Sequence, residues 1–141
     1  MKRTKTMELT GVIVEGESKL IIENDLRNIG WKVESFKIIC NDLSEAPSNT
    51  WVARLDTTAG IIADFAVFNR NDVLGIATYG SGGTFSMIDE TQLIVDELYI
   101  TNSTIPSATV TNPALSYQII LGQYDISDYE QIVSQVKRSQ G

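Results

Sequence analysis

The feature that most constrains the fold of this chain is an alternation of apolar and more polar residues with a period of two. It is clearest in residues 115–122, where every second position belongs to one apolar set, Leu115, Tyr117, Ile119 and Leu121. Successive side chains of a β-strand point to opposite faces of its sheet. The pattern therefore predicts a strand with one face in a core and a wetter face outside.

The alternation recurs in short segments that turn-forming residues separate, such as the Pro47-containing segment 41–49 and the glycine-rich segment 80–83. We expect eight or nine strands, near residues 8–14, 18–23, 31–40, 50–56, 61–68, 73–79, 84–88, 92–100 and 115–124. Many short strands with few helical patterns favour a sandwich or a barrel. We predict an all-β, antiparallel, jelly-roll-like β-sandwich with one C-terminal α-helix.

The helix is predicted from the last segment. Ser127 and Glu130 have the spacing of a capping box, in which each side chain accepts a hydrogen bond from the backbone N–H of the other residue. An apolar stripe follows at helical spacing, Tyr129, Ile132, Val133 and Val136. The stripe packs either on the chain's own sandwich or on a neighbouring subunit. We name Ile132, Val133 and Val136 as the candidate oligomer contact, together with the long loop from Thr101 to Pro113.

The length of 141 residues suits one domain. We expect a basic N-terminal arm over residues 1–7, a sandwich over residues 8–125, and a C-terminal helix and tail over residues 126–141 in the same domain. The net charge is −7, and residues 71–136 contain eight Asp or Glu residues and neither Lys nor Arg. The body of the domain is therefore a poor partner for nucleic acid.

The concentrated positive charge lies at the N-terminal end, at Lys2, Arg3 and Lys5. Two interpretations stay open for these residues. One is a solvated, poorly ordered end; the other is an arm that makes weak contact with an anionic surface, either nucleic acid or lipid headgroups.

Much catalytic chemistry is excluded by composition, because the chain has no histidine and one cysteine. Asp56 and Thr57 are followed by Thr58, where an aspartic-protease loop requires glycine. The segment 79–83 begins with Tyr79 and so departs from a nucleophile elbow. Adjacent carboxylates such as Asp96 and Glu97 point to opposite faces of a strand and cannot chelate calcium together. We expect no enzyme activity, no catalytic residues, no cofactor and no metal.

No apolar run is long enough for a membrane span, and no secretory signal pattern is present, so we expect no transmembrane segment. Cys40 ends an apolar run and is predicted to be buried. The Asn102-Ser103-Thr104 glycosylation pattern is treated as chance. A further hypothesis is a sugar-binding platform built from the aromatic residues Trp31, Trp51, Tyr79, Tyr99, Tyr117 and Tyr124.

Five segments carry a resemblance to a known class of proteins. They read WKVESFKI at 31–38, WVARL at 51–55, NDVLGIA at 71–77, VDELYI at 95–100 and LSYQI at 115–119. Their order, over roughly residues 29–125, resembles small structural proteins of environmental, largely marine, bacteriophages, which have a short basic N-terminus and a β-sandwich body. The C-terminal helix has no counterpart in that pattern.

The resemblance implies a capsid or capsid-associated subunit that works by assembling. We therefore expect a virion structural protein, made in the host cytoplasm and located in the virion, with itself and other virion proteins as partners. The alternative is a carbohydrate- or ligand-binding β-sandwich module, such as a fibre or adhesion domain.

Overall fold

The structure, a computed structural model, describes residues 1–14, 16–23, 28–41, 49–57, 73–81, 83–102, 104, 114–127 and 130–134. The described residues form eight strands: β1 (Lys2–Ile13), β2 (Ser18–Glu23), β3 (Ile29–Cys40), β4 (Thr50–Asp56), β5 (Val73–Gly80), β6 (Phe85–Ile88), β7 (Glu97–Asn102) and β8 (Leu115–Asp125). A short helix, α1, covers residues 130–134.

The strands form two antiparallel sheets, sheet A in the order β1-β8-β3 and sheet B in the order β2-β7-β4-β5-β6. The first strand pairs with the last, the second with the seventh and the fourth with the fifth. These pairs are nested one inside another, as in a single long hairpin. Two further pairs, β8-β3 and β7-β4, show that this hairpin is rolled up so that its strands divide between two sheets. The predicted antiparallel jelly-roll-like sandwich is confirmed, and strand β6 alone departs from the rolled order by pairing with β5.

The core lies between the two sheets. In β8, the four alternating residues identified from the sequence are buried, as predicted, while Ser116 and Gln118 between them are half-buried. Large side chains from both sheets fill the interior, and Trp51, Phe36, Leu55 and Leu98 are almost completely buried. Cys40 is buried with them, as expected.

A β-bulge resets the alternation in β3. Val33 lies opposite Leu121 and Ser35 opposite Ile120, so Glu34 is an extra residue in the ladder. Because of this extra residue, Phe36 rather than Ser35 points into the core after Val33. The Glu34 carboxylate is left on the outer face of sheet A.

The expectation of a separate basic arm over residues 1–7 is wrong, because β1 begins at Lys2 and pairs with β8 along its length. A lysine-rich segment at a chain end is usually interpreted as solvated. Lysine is also well suited to an edge strand, because its charge discourages pairing with a strand of another chain. Among the described strands, β1 is such an edge, because it is the first strand in the order of sheet A.

Strand β7 begins at Glu97, later than the residue 92 predicted, because Ile94 crosses to sheet A. The backbone N–H of Ile94 donates to the Trp31 carbonyl at 2.7 Å, and the Trp31 N–H donates to the Ile94 carbonyl at 2.9 Å. At its other end β7 includes Thr101 and Asn102, which the sequence assigned to the loop. The predicted strand at 61–68 lies outside the described residues.

Candidate assembly surfaces

The outer face of sheet A carries an ion pair that spans its three strands. Arg3 of β1 donates to both carboxylate oxygens of Glu34 in β3, from Nε at 2.8 Å and from an Nη at 2.7 Å. The pair crosses β8 at Gly122, where a Cβ would collide with the Glu34 carboxylate and make a tight contact with Arg3 Nε at 3.1 Å. Arg3 lowers the pKa of the Glu34 carboxyl below its ordinary value, chiefly by hydrogen bonding.

The three basic residues at the N-terminal end do not share a face. A β-bulge between Arg3 and Lys5 places Lys2 opposite Asp125 and Lys5 opposite Gln123, on one face, with Arg3 on the other. Lys2 and Lys5 are exposed, whereas the charge of Arg3 is matched by Glu34. Of the three predicted residues, Lys2 and Lys5 are therefore the two whose charge is not matched by Glu34.

The predicted capping box is present at the start of α1. The Glu130 N–H donates to the Ser127 hydroxyl at 3.1 Å, and the Ser127 N–H donates to the Glu130 carboxylate at 3.0 Å. The pKa of Glu130 is lowered below its ordinary value, chiefly by the hydrogen bond from the Ser127 backbone N–H and further by the Ser127 side chain. The box fixes where α1 starts.

Contacts with Asn28 hold α1 at one end of sheet A. The Asn28 N–H donates to the Gln131 side-chain oxygen at 3.2 Å, and the Asn28 amide donates to the Ile126 carbonyl at 3.0 Å. Asn28 has a φ of 62°, in the left-handed region that asparagine tolerates.

The two apolar side chains of α1 are exposed to a large extent. Ile132 is 59% exposed and Val133 is 45% exposed. Val136, the third candidate contact residue, lies outside the described residues. We call Ile132 and Val133 the helix patch.

A groove of about 330 Å³ opens where β6 leaves the rolled order. Among the described residues, no strand pairs with the outer edge of β6, or with the outer edge of β3 beyond the bridge at Trp31. We call this opening the seam groove; among the residues that line it are Lys37, Ile39, Thr78, Tyr79 and Phe85. Phe85 is 48% exposed, and Ile39 is exposed as well.

The turn at the mouth of the seam groove depends on glycine. Gly80 and Gly83 have φ values of 127° and 106°, a region that other L-residues rarely adopt. The Gly83 N–H donates to the Gly80 carbonyl at 3.1 Å, and Thr78 Oγ1 donates to the Gly83 carbonyl at 2.9 Å. The predicted glycine-rich break is therefore a defined turn between β5 and β6.

The described part of the predicted contact loop from Thr101 to Pro113 is internal. The Asn102 amide donates to the Ile13 carbonyl at 3.2 Å, and the Asn102 side-chain oxygen accepts the Thr104 N–H at 3.1 Å. The side chain of Thr104 accepts the Val52 N–H at 3.1 Å. Thr101, Asn102 and Thr104 are buried, so this end of the loop is part of the sandwich, and a buried Asn102 does not suit glycan attachment.

Asp56 forms a buried ion pair with Arg54 on β4. The Arg54 Nε donates to an Asp56 carboxylate oxygen at 2.8 Å, and the two side chains are 4% and 1% exposed. The pair lies on the outer face of sheet B beside a small cluster of Val52, Val73 and Ile76. This setting supports a structural role for Asp56 in place of a role in hydrolysis.

The aromatic residues do not form a common platform. Trp31, Trp51 and Tyr117 are buried, and Tyr79 packs against the core. Tyr99 lies in sheet B and Tyr124 in sheet A. A polar depression of about 310 Å³ does place Tyr124 beside Lys32, Glu34 and Glu90, with the Lys32 ammonium 5.2 Å from the Tyr124 ring centroid.

Comparison of the chain with known protein families, with curated proteins and with solved structures finds no match. Within the described residues, no helix is both long and apolar enough to cross a membrane. The same residues contain no cluster of three or more His, Cys, Asp or Glu side chains placed to hold a metal ion. The carboxylate of Asp89 shapes a turn by accepting the N–H of Thr91 at 3.0 Å.

The helix patch was predicted from the sequence, whereas the seam groove was not. Its walls come from β3, β5 and β6, which are brought together only by the strand order. The one local signal was the strand segment 85–88, whose exposed alternating residues, Phe85 and Met87, are both large and apolar.

The Arg3–Glu34 pair makes stability depend on pH. Because the folded-state pKa of Glu34 is lowered from 4.5, the pair stabilises the fold above pH 4.5 and loses that effect as the pH falls below it. We expect Glu34→Gln to lower the free energy of unfolding modestly at pH 7, with the difference from the wild type shrinking towards pH 3 and in high salt. Urea unfolding across this pH range measures it.

The matched control is Glu90→Gln, an exposed carboxylate for which the described residues contain no ion pair. A Glu34→Gln variant that matches the wild type at pH 7 and low salt would show that the pair contributes nothing to stability.

Proposed function

We propose that this chain is a virion structural protein, a capsid or capsid-associated subunit that works by assembling with copies of itself and with other virion proteins, without catalysis. The observation that carries the proposal is a pair of exposed apolar surfaces among the described residues, the helix patch and the seam groove, on a β-sandwich. Exposed apolar surface at defined places on a rigid body is typical of interaction sites.

The fold supports this proposal without selecting it, because jelly rolls occur in viral capsid proteins and also in lectins and cupins. The chemistry of the residues favours assembly over catalysis. The candidate aspartate, Asp56, is buried in an ion pair with Arg54, and the chain has no histidine to act as a base near neutral pH. On this proposal the protein is made in the host cytoplasm and located in the virion.

Self-association is tested by sedimentation velocity over a range of protein concentrations. We expect the wild type to form species larger than a dimer, and Val133→Asp to weaken association at least about tenfold, since a buried charge opposes contact. The β-sheet circular dichroism spectrum should be unchanged, because Val133 is exposed. The control is Leu20→Asp, which changes another exposed aliphatic residue on β2.

A wild type that stays monomeric at every concentration would contradict self-association. Loss of the β-sheet circular dichroism spectrum in Val133→Asp would show that Val133 stabilises the fold of its own chain, and would contradict its role in a contact between copies.

Weak contact with an anionic surface is the second part of the proposal, and it rests on Lys2 and Lys5. We expect Lys2→Gln with Lys5→Gln to weaken binding to a short single-stranded DNA, or to vesicles with anionic headgroups, at low salt. Two cations release few counterions, so the slope of log affinity against log salt should be about −1 to −2 in the wild type and close to zero in the double variant.

Lys19→Gln is the control, because Lys19 is an exposed cation on the far edge of sheet B. Equal affinity of the wild type and the double variant for the anionic probe would contradict an anion contact through Lys2 and Lys5.

A second candidate function is a carbohydrate- or ligand-binding module. The polar depression favours it, since an aromatic wall with Lys32, Glu34 and Glu90 around it offers stacking and hydrogen bonds to a sugar. A glycan array tests it, with Tyr124→Ala expected to abolish any specific signal that the wild type gives. Absence of wild-type binding, or binding that survives Tyr124→Ala, would contradict this candidate.

A further inference from the structure

We propose that residues 1–6, at the N-terminal end of the chain, form a pH-sensitive strap that lies on β8 near neutral pH and detaches from it in acid. Three observations carry this proposal: the exposure of the strap, the interruption of its ladder, and the carboxylates that hold its cations. The device goes beyond the proposed function, because it concerns how the chain holds its own first residues.

The two halves of β1 are held in different ways. In the half that follows the strap, Met7 and Leu9 pack against the core and Ile13 is completely buried. In the strap itself every residue is exposed. Burial of apolar surface therefore holds residues 7–13 in place and contributes little to holding the strap.

The ladder between the strap and β8 is interrupted. The register shifts between Arg3 and Lys5, so Thr4 is an extra residue in β1. A bulge of this kind leaves its extra residue without a partner in the ladder. The Thr4 hydroxyl donates instead to the Gln123 carbonyl at 3.3 Å. A strand end that lies beyond a bulge and has no buried side chain is among the elements that open at low cost.

One ion pair ties the strap to the opposite edge of sheet A. Arg3 donates to both carboxylate oxygens of Glu34, at 2.8 and 2.7 Å, across the central strand. A two-point contact between a guanidinium and a carboxylate is stronger and more directional than a single ionic contact. Glu34 is therefore the side chain on which the position of the strap chiefly depends.

Two further cations of the strap also face carboxylates. The Met1 ammonium lies 4.0 Å from a Glu130 carboxylate oxygen of α1. Lys2 lies opposite Asp125 of β8 in the ladder. Lys32 of β3 is the other cation that acts on Glu130. Negative charge from three elements, β3, β8 and α1, thus holds the end of the strap.

The other groups around Glu34 belong to the sandwich and not to the strap. Lys32 and Tyr124 line the polar depression with Glu34, and the Lys32 ammonium lies over the Tyr124 ring. Glu90 lines the same depression and carries a like charge. These groups stay with the sandwich when the strap moves, so the contact that acid breaks is the one between Glu34 and Arg3.

Acid removes the negative charge on which the strap depends. Because the folded-state pKa values of Glu34 and Glu130 are lowered from 4.5, their contacts are intact above pH 4.5 and are lost as the pH falls below it. Arginine and lysine keep their charge over this range. The strap then carries unmatched positive charges, and no buried side chain retains it.

Detachment of the strap leaves the rest of sheet A in place. The residues of β8 opposite the strap, Gly122 to Asp125, pair on their other side with residues 29–32 of β3. The Ile126 N–H also donates to the Asn28 carbonyl at 3.0 Å. Strand β8 therefore keeps one complete ladder, and the opening is confined to the end of β1.

Amide order parameters from nitrogen-15 relaxation of the full chain test the strap, because they separate rigid from mobile backbone. In the wild type at pH 6.5, the amides of residues 2–6 should have order parameters of about 0.85, and at pH 3 values below about 0.6. The amides of residues 9–13 should remain at about 0.85 at both pH values, since buried side chains hold that half of β1.

Three variants locate the cause. Glu34→Gln removes the ion pair with little change in shape, and should lower the order parameters of the strap below about 0.6 already at pH 6.5. Arg3→Gln should do the same. Glu90→Gln is the matched control, because it removes the same charge from the same depression, and it should behave as the wild type does.

A strap that is mobile in the wild type at pH 6.5 would overturn the proposal, and so would one that stays rigid in Glu34→Gln at that pH. A strap that stays rigid in the wild type at pH 3 would overturn it as well. An equal loss of order in residues 9–13 would also contradict it, because the sheet as a whole would then be loosening.

A detached strap also frees cations for the anion contact, a step that rests on the proposed function and is measured separately. At pH 6.5 and low salt, Glu34→Gln should bind a short single-stranded DNA at least about twofold more tightly than Glu90→Gln, which has the same net charge. Equal binding by these two variants, with a mobile strap in Glu34→Gln, would contradict the anion contact and leave the strap standing.

Discussion

The ladder that joins the last strand to the first and third strands is the interaction on which the rest of this structure depends. Strand β8 pairs with β1 from Lys2 to Ile13 and with β3 from Ile29 to Cys40. Without it, sheet A has no central strand and the hairpin is not rolled into a sandwich. The same ladder brings the N-terminal strand and the helix to one end of the molecule, because Lys2 and Ile29 both lie opposite Asp125.

The position of β6 follows from this closure and creates the seam groove. In the fully rolled order β6 would cover the free edge of β3, but here it extends sheet B beside β5. Among the described residues, Ile94 therefore covers the start of the β3 edge and no strand covers this edge near Ile39, where the groove lies. A departure of one short strand thus leaves an apolar surface at the end of the sandwich opposite the helix.

Local patterns in the sequence predicted much of this fold. The bounds of β2 and β4 were predicted to the residue, because turns enclose both segments. The capping box was also predicted correctly, since it depends on two residues three positions apart. Features that depend on distant partners were not predictable in this way. The bulge at Glu34 is visible only against β8, and the full length of β1 depends on a partner more than 100 residues away.

The same distinction applies to the candidate surfaces. Ile132 and Val133 were identified from helical spacing, and the structure places them on the outside of the molecule. The sequence pattern did not reveal that Arg3 pairs with Glu34 across Gly122. This pairing places Arg3 on a different face of the sheet from Lys2 and Lys5. Period two is common to all strand orders, so no local pattern indicated that β3, β5 and β6 enclose a groove.

The molar mass of the purified protein in solution tests the central claim most directly, that copies of this chain assemble with one another. Light scattering across a concentration series should give a mass that rises with concentration and exceeds that of a dimer. A mass of 15.6 kDa at every concentration, which is that of a single chain, would contradict the account.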